Sequence, residues 1–413
     1  MLNYFAFIRR HFAMLGFGFI AVFWGNFGQS FFIAWFGADI QRSLGISASV
    51  YGSTYSLATL LSAFGVIWLG GLIDQIALRT YALTVAGGLC LACVLLSQAD
   101  AIPLLFIGLF LLRLFGQSLL PHTGVTTMAR HFDVSRGKAI SVAMSGVPSG
   151  EIVLPVLAVA VMAAVGWQNT FLLIGIATAV VLFPVLWWLS SDSVHVPGSK
   201  SAAAVLDPGA VALKSAGRRV VLSDYRYWLA MPGLLANPFL ITGIFIHQNF
   251  IVASKDWTVS WLATCFVVYG AVHWLSSLLF GALVDRYKSV RLLPYYLIPL
   301  FLALVVLAYV PGWWTAVLLM SLLGFSSGSG PPITSSLWAE IYGTRHLGAI
   351  RSMNMAIMVA ATAVAPVLFG YFIDQGISVG ALFGPFALFV AIGIVSMLFS
   401  YPLRPQRHPH ASD

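Results

Sequence analysis

Long apolar runs recur along the whole chain, and they restrict the fold more than any other feature of the sequence. A run of about 20 apolar residues crosses the roughly 30 Å hydrocarbon core of a bilayer as an α-helix. Only 8% of the 413 residues are charged, whereas about a quarter are charged in an ordinary soluble protein. Because every backbone polar group must be satisfied internally in lipid, the sequence predicts an all-α, multi-pass membrane protein. We expect no cofactor and no metal.

Charged, Gly/Pro and Asn/Gln clusters divide the chain into twelve predicted membrane spans, numbered in chain order. A polar stretch rich in Ser, Ala, Gly and Pro separates span 6 from span 7. We therefore expect an N-terminal six-helix bundle (1–190), a cytoplasmic linker (191–227) and a C-terminal six-helix bundle (228–413). The predicted spans cover residues 12–37, 47–70, 80–98, 101–128, 138–165, 168–190, 228–253, 258–282, 292–311, 313–340, 347–374 and 379–402.

The basic residues are distributed asymmetrically between the two predicted sides of the membrane. All but three of the 21 Lys and Arg residues fall on one side, whereas Arg42 and Lys255 lie on the other and Arg113 lies within span 4. The positive-inside rule makes the first side the cytoplasm and places both termini there, in the cell inner membrane. Because the basic residues are scattered over short loops, nucleic acid is not an expected partner. We expect a monomer in the lipid bilayer whose partners are a small organic solute and protons.

Two sequence elements occur twice, about half the chain apart. The stretch "GGLIDQIALR" (70–79) follows span 2, and "GALVDRYKSVR" (281–291) follows span 8. Similarly, "RGKAISVAMSG" (136–146) opens span 5 and "HLGAIRSMNMA" (346–356) opens span 11. Two six-span halves of equal orientation form the parallel repeat of a large class of transporters, whose substrate site lies between the halves near the middle of the bilayer.

On these elements the chain resembles the major facilitator superfamily of secondary transporters. The Gly-x-Leu-x-Asp-Arg loop of that family is matched in both halves, except that Gln75 replaces the arginine in the first copy. In the family this loop holds one face shut, although helix capping would also explain its charges. The stretches 30–47 and 326–343 resemble the bacterial monocarboxylate and oxalate/formate porter branch. The gating residues that the resemblance implies are Gly71, Asp74, Arg79, Gly281, Asp285, Arg286 and Arg291.

Polar side chains are concentrated on every third span, namely spans 1, 4, 7 and 10. These four spans are therefore expected to surround a hydrated cavity. Hydrogen bonding between helices is the competing explanation for the amides and the histidine among these side chains. The candidate substrate-binding residues are Asn26, Gln29, Arg113, Gln117, His247, Gln248 and Ser329.

One basic and one acidic residue fall deep within predicted spans: Arg113 in span 4 and Glu151 in span 5. A lone charge at that depth costs at least about 2.5–3.5 kcal/mol, so the sequence predicts that the two side chains contact each other. The spacing Gly146-x-x-x-Gly150 favours a close approach of span 5 to a neighbour. We predict that Glu151 couples transport to protons and that, when protonated, it frees Arg113 for a substrate carboxylate. A fixed structural ion pair is the alternative.

The predicted function is secondary active transport of a small organic solute, a carboxylate, coupled to protons and driven by alternating access. Export of an amphiphilic compound of the drug or siderophore type is the alternative. The chain has no Gly-x-x-x-x-Gly-Lys-Ser/Thr phosphate loop, which disfavours use of ATP. An intramembrane hydrolase and a channel are less favoured, because the sequence contains neither a recognisable nucleophile setting nor a filter sequence.

Overall fold

The computed structural model describes residues 7–132, 135–190, 218–343 and 347–401. These residues are almost entirely helical, and no β-strand occurs among them. The predicted linker lies outside the described residues as far as residue 217, and its end forms the short helix Arg218–Ser223. The α-helices of the first half are Phe12–Gly25, Ser30–Ile33, Gly37–Leu44, Ala48–Leu69, Leu78–Ser97, Ile102–Leu111, Leu120–His131, Arg136–Met144, Gly146–Ala177 and Phe183–Leu189.

The second half is built from fewer and longer helices. Among the predicted spans of this half, span 9 has the shortest main helix, Ile298–Tyr309, with 12 residues. The α-helices that follow residue 224 are Tyr225–Ile246, Gln248–Ser254, Val259–Tyr287, Ser289–Leu292, Ile298–Tyr309, Thr315–Tyr342, Leu347–Asp374 and Val379–Ser400.

Nine helices in the described ranges are long and apolar enough to cross a membrane, or ten if a bent pair in span 1 counts as one. The longest continuous run, Arg136–Leu189, contains a turn at Gly166, whose φ of 80° and ψ of 167° only glycine adopts readily. Spans 5 and 6 therefore meet at this residue. With that division and the short helix of span 9, the described helices account for all twelve predicted segments.

Two membrane helices depart from regular geometry at positions that matter for the site. Span 1 bends by 46° where the helix Phe12–Gly25 gives way to the 3₁₀ turn Asn26–Gly28 and then to an extended Gln29. Span 4 continues through a π-helical segment, Leu112–Leu119, between two α-helices. Segments of π-helix occur frequently at functional sites.

The chain forms two compact units that do not follow the predicted division into halves. The first unit contains residues Met1–Gly209, Thr242–Ala271 and Thr362–Ile377, so parts of spans 7, 8 and 11 pack with the N-terminal bundle. Within it, span 1 packs against spans 4 and 5, around buried side chains such as Phe17 and Val22.

The second unit contains residues Ala210–Ile241, Val272–Ala361 and Ser378–Asp413. Polar side chains connect its helices: Asn237 donates to the Ser326 carbonyl at 3.0 Å, and the Tyr227 hydroxyl donates to Asn354 Oδ1 at 2.6 Å. Near the end of span 10, the Tyr342 hydroxyl donates to Asp224 at 2.9 Å. The predicted boundaries of the two six-helix bundles stay a prediction.

Candidate solute-binding site

The guanidinium of Arg113 is buried in the middle of span 4, with 3% of the residue exposed. Its Nε donates a hydrogen bond to Thr59 Oγ1 at 3.1 Å, and its Nη1 donates to the Gly28 carbonyl at 3.1 Å. The Tyr55 ring lies beneath the guanidinium, 4.9 Å from Cζ to the ring centroid. In the described part of the chain, no carboxylate is among the partners of Arg113. The cation is therefore held by neutral groups.

The predicted contact between Arg113 and Glu151 is not present in this structure. Glu151 is buried in span 5, with 4% of the residue exposed, and it makes other contacts. The break in span 1 contacts both helices, because Asn26 donates to the Gly146 carbonyl of span 5 at 2.9 Å and Gly28 accepts from Arg113 of span 4. Span 5 does approach a neighbour closely at its glycines, as predicted, but that neighbour is span 1.

The two charged residues nevertheless remain exceptional. Among the described residues, Arg113 and Glu151 are the only buried side chains of the Asp, Glu, Lys or Arg types. Both belong to the first compact unit, where Arg113 donates to Gly28 and the residue before Glu151, Gly150, packs against Asn26 of the same three-residue turn. The role of each in binding or coupling stays a prediction.

Two predicted polar residues of span 7 lie buried in the same unit. The His247 ring Nε2 is 2.8 Å from the Pro366 carbonyl of span 11, and this contact is the hydrogen bond between helices that competes with a role in solute binding. Gln248 is 1% exposed, and neither its amide nitrogen nor its amide oxygen has a hydrogen-bond partner within the described structure. A buried amide without partners is costly, so Gln248 is a candidate for contact with a solute or water.

The remaining candidates differ in how closely they adjoin Arg113. Gln29 directly follows Gly28 and is partly buried, and the backbone of Gln117 lies against Gly28. Ser329 belongs to the second unit, where its hydroxyl donates to the Ser326 carbonyl of its own helix at 3.2 Å. Its predicted role in binding stays untested.

The predicted gating loop of the first half is anchored within that half. Asp74 forms an ion pair with Arg130 at the end of span 4, and Arg130 also donates to the Ile73 carbonyl at 3.3 Å. Arg79 donates to the Ser190 carbonyl at 3.1 Å, at the end of span 6. No side chain approaches Gly71 in the described structure.

In the second half, the corresponding loop residues lie at the surface. Asp285 and Arg286 are exposed, with Arg286 over the Tyr287 ring, and Gly281 has open space around it. Arg291 lies in the short helix Ser289–Leu292, whose first N–H groups are capped by Glu340 of span 10. The gating role of these residues stays a prediction.

Span 2 supplies partners of Arg113 that are not among the residues predicted from the sequence. Tyr51, Tyr55, Thr59 and Ser62 are all buried, and their spacing of four, four and three residues places them on one helical face. The hydroxyls of Tyr51 and Tyr55 have no hydrogen-bond partner among the described residues. This polar stripe in an otherwise apolar span was a sequence signal that could have identified the partners of Arg113.

These contacts give the site a defined chemistry. A guanidinium with neutral partners keeps its full charge, and its planar set of donors matches the two oxygens of a carboxylate. The Tyr55 hydroxyl beside the guanidinium can form a further hydrogen bond, as can the unpartnered Gln248 amide elsewhere in the same unit. The arrangement therefore offers a cation and hydrogen-bond donors to an anion, and among the described partners of Arg113 there is no nucleophile paired with a base.

Comparison with known sequences identifies the family. A family model described as the Major Facilitator Superfamily matches residues 15–272 and 241–413. An uncharacterised transporter of this type, YcxA of Bacillus subtilis (strain 168), is 25% identical in an alignment of 272 positions that covers 61% of this chain and 62% of that protein. The chain thus matches less than two thirds of that relative's length.

Solved structures show the same fold at low sequence identity. The nucleoside transporter NupG, as a mutant, is 14% identical with a TM-score of 0.67, over 94% of this chain and 100% of that chain. A bacterial homologue of the human lysosomal transporter Spinster, inward-facing and unoccupied, is 14% identical with a TM-score of 0.64, over 94% of this chain and 95% of that chain. Because the family model matches nearly the whole sequence, this chain belongs to the major facilitator superfamily of multi-pass membrane transporters, and its fold agrees with that family.

Proposed function

We propose that this transporter carries a small organic anion, a carboxylate, across the cytoplasmic membrane by alternating access, with Arg113 as the cation that binds it. The observation that carries the proposal is the burial of Arg113 among neutral partners. A charge in the membrane interior costs at least about 2.5–3.5 kcal/mol and is therefore a strong indication of function. A bound carboxylate would neutralise this charge with paired hydrogen bonds.

We further propose that Glu151 couples this transport to protons. Arg113 donates to Gly28, and the helix that carries Glu151 contacts Asn26 of the same turn through Gly146 and Gly150. Binding of an anion at Arg113 together with a proton at Glu151 adds no net charge to the membrane interior, so the loaded carrier can change conformation without moving extra charge across the low-dielectric core. Direct exchange of partners between the two side chains would require span 1 to move.

The alternative function, export of an amphiphilic organic compound, is favoured by one observation. Phe31 and Trp35 of span 1 form an aromatic cluster with Phe245, Phe266 and Tyr269 of spans 7 and 8, with ring centroids 5.2–6.1 Å apart. The Trp35 Nε1–H has no hydrogen-bond partner in the described structure. Such a surface suits an aromatic solute. Close packing of spans 1, 7 and 8 accounts for the same cluster, and this alternative therefore ranks second.

Pairs of solutes of similar size and shape, one anionic and one neutral, test the proposal. We would measure uptake of acetate, L-lactate, pyruvate and benzoate into proteoliposomes, each beside its neutral amide. We expect uptake of at least one carboxylate, no uptake of its amide, and a loss of about 100-fold or more in Arg113→Gln, because a buried charged hydrogen-bond partner is removed. Arg113→Lys keeps the charge but loses the planar set of donors, so we expect partial activity.

Two outcomes would contradict the anion proposal. One is equal uptake of carboxylates and amides; the other is an Arg113→Gln variant that transports the carboxylate at the wild-type rate. Uptake of aromatic amides or amphiphilic cations alone would favour the alternative.

Glu151→Gln tests proton coupling separately. We expect it to abolish accumulation driven by a pH gradient and to leave counterflow of the same carboxylate intact. Unchanged accumulation in this variant would contradict a coupling role for Glu151.

A further inference from the structure

The groups around Arg113 suggest how its guanidinium is aimed. We propose that Thr59 and the Gly28 carbonyl are positioning residues, which fix the plane of the guanidinium so that Nη2 is presented to the anion. This inference rests on the proposed function and assigns a role to two positions outside the predicted site. Nε is bonded to Thr59 and Nη1 to Gly28, and Nη2 takes part in neither bond.

The Thr59 hydroxyl can serve Arg113 only as an acceptor. Its proton is donated to the Tyr55 carbonyl at 2.9 Å, one turn earlier in the same helix. With the proton directed there, the lone pairs of Oγ1 face Arg113 Nε at 3.1 Å. Ser62 donates to the Thr59 carbonyl at 2.8 Å and ties the next turn to the same residue. Thr59 is 5% exposed, which limits the access of replacement water.

The Gly28 carbonyl is available because span 1 is broken immediately after it. In a continuous α-helix this carbonyl would accept from the Phe32 N–H, but the extended Gln29 (ψ 151°) ends the helix. The Phe32 N–H instead bonds the Gln29 carbonyl at 3.1 Å. The Gly28 carbonyl therefore lacks its helical donor, and Arg113 takes that place. An unpaired carbonyl in the membrane interior would cost several kcal/mol.

Glycine at position 28 allows the two irregular segments to meet. A Cβ at this position would collide with the Gln117 backbone nitrogen and the Leu112 carbonyl, both in the π-helical segment of span 4. The break of span 1 and the segment that carries Arg113 therefore touch through their backbones. This contact limits the positions that the guanidinium can take, and the Tyr55 ring supports its face.

These contacts orient the guanidinium without neutralising it. A carboxylate in place of Thr59 would pair with the guanidinium and compete with an anionic solute. A threonine and a carbonyl satisfy two N–H groups and leave the positive charge for the solute. Loss of the Thr59 oxygen would leave Nε without an acceptor, and the guanidinium would be expected to rotate away from the solute.

The test compares Thr59→Ser, which keeps the oxygen, with Thr59→Val, which replaces the hydroxyl by a methyl of similar size. Thr59→Ala provides a second variant without the oxygen if Thr59→Val does not fold. Uptake of acetate, L-lactate, pyruvate and benzoate into proteoliposomes gives KM and the maximal rate. We expect both oxygen-free variants to raise KM about tenfold, with the maximal rate within about twofold of wild type, and Thr59→Ser to match wild type. A general packing defect would instead lower the amount of active carrier and therefore the maximal rate.

The outcomes separate this inference from the function on which it rests. If Arg113→Gln abolishes carboxylate uptake while Thr59→Val and Thr59→Ala keep the wild-type KM, the positioning role is wrong and the anion site stands. If Arg113→Gln leaves uptake unchanged, both the proposed function and the positioning role are wrong. Equal KM values in Thr59→Ser and Thr59→Val, both raised, would also overturn the role of the oxygen.

Discussion

The two ends of span 2 are both held by a carboxylate, but the carboxylates come from different parts of the chain. At the start of the span, Asp374 of span 11 accepts hydrogen bonds from the Ala48 and Ser49 N–H groups at 3.0 Å each, and from the Ser49 hydroxyl. At its other end, Asp74 pairs with Arg130 of span 4. The first contact joins the two sequence halves, and the second lies within one half.

This difference separates contacts that a transport cycle must break from contacts that it can keep. In the proposed alternating-access cycle the halves move relative to each other, so the contact of span 2 with span 11 has to open. The partner of Asp74 moves together with span 2 and can stay in place. Near the centre of the span, Thr59 meets Arg113, also within the first half. The proposed cycle therefore predicts that span 2 stays fixed to its own bundle and that its attachment to span 11 is reversible.

The largest expected effect comes from locking the end of span 2 at Asp374. We would replace Cys90, Cys93 and Cys265 with serine and introduce Ser49→Cys with Asp374→Cys, whose side chains are in contact in this structure. A short thiol-reactive cross-linker should abolish carboxylate uptake, and a cleavable version should allow full recovery. The cross-link joins spans 2 and 11 and therefore prevents the carrier from opening on its predicted extracytoplasmic side.

The matched control places cysteines at Asp74 and Arg130, which are also in contact. Cross-linking this pair should leave uptake within about twofold of the uncross-linked protein, because its two residues belong to one half. Continued uptake with the 49–374 pair fully cross-linked would show that this end does not open during transport.

A smaller effect is expected from removing a single carboxylate. Asp374→Asn weakens a helix N-cap between the halves, and Glu340→Gln weakens the cap that Glu340 places on the Ser289 and Val290 N–H groups within the second unit. Each substitution should cost about 1 kcal/mol of helix-end stabilisation. Only Asp374→Asn should also shift the equilibrium between conformations in which spans 2 and 11 are joined and conformations in which they are separated. A change of about 1 kcal/mol shifts this equilibrium about fivefold, since about 1.4 kcal/mol corresponds to a factor of ten.

Cysteine labelling detects this shift. A cysteine at Ser56, which is buried in span 2, should react faster with a membrane-impermeant maleimide added outside cells when Asp374 is replaced by Asn. Replacement of Glu340 by Gln should leave the rate unchanged. Equal labelling rates in the two variants would mean that Asp374 caps the helix of span 2 without affecting the conformational equilibrium.

The sequence predicts much of this arrangement because composition and repetition carry it. Apolar runs determine the helices, the repeated Gly-x-Leu-x-Asp element indicates the two halves, and a lone arginine in an apolar span indicates a site. The stripe Tyr51, Tyr55, Thr59 and Ser62 was readable in the same way, from its helical spacing. Local chemistry was sufficient for each of these features.

The backbone partner of Arg113, the Gly28 carbonyl, depends on a feature that has no comparable signal in the local sequence. The prediction paired Arg113 with Glu151 because they are the only opposite charges deep in neighbouring spans. The extended Gln29 instead breaks span 1 and frees a backbone carbonyl that accepts from Arg113. Every residue type carries a backbone carbonyl, and only the path of the backbone decides which carbonyl is left without its helical donor. The side chains of the sequence therefore do not identify it. The charge of the site and the Thr59 acceptor were therefore predictable, whereas the Gly28 carbonyl acceptor was not.

The smallest expected effect comes from Arg130→Ala at the other end of span 2. The side chains of Arg130 and Asp74 are 32% and 59% exposed, so solvent screens their attraction. An exposed ion pair contributes about 0–1 kcal/mol, and we expect the free energy of unfolding to fall by no more than that. Uptake of the carboxylate should stay within about twofold of wild type. A large loss of uptake at unchanged stability would instead mean that the Asp74 contact also changes during the cycle. The two ends of span 2 would then both act as gates, as the family resemblance implies for Asp74.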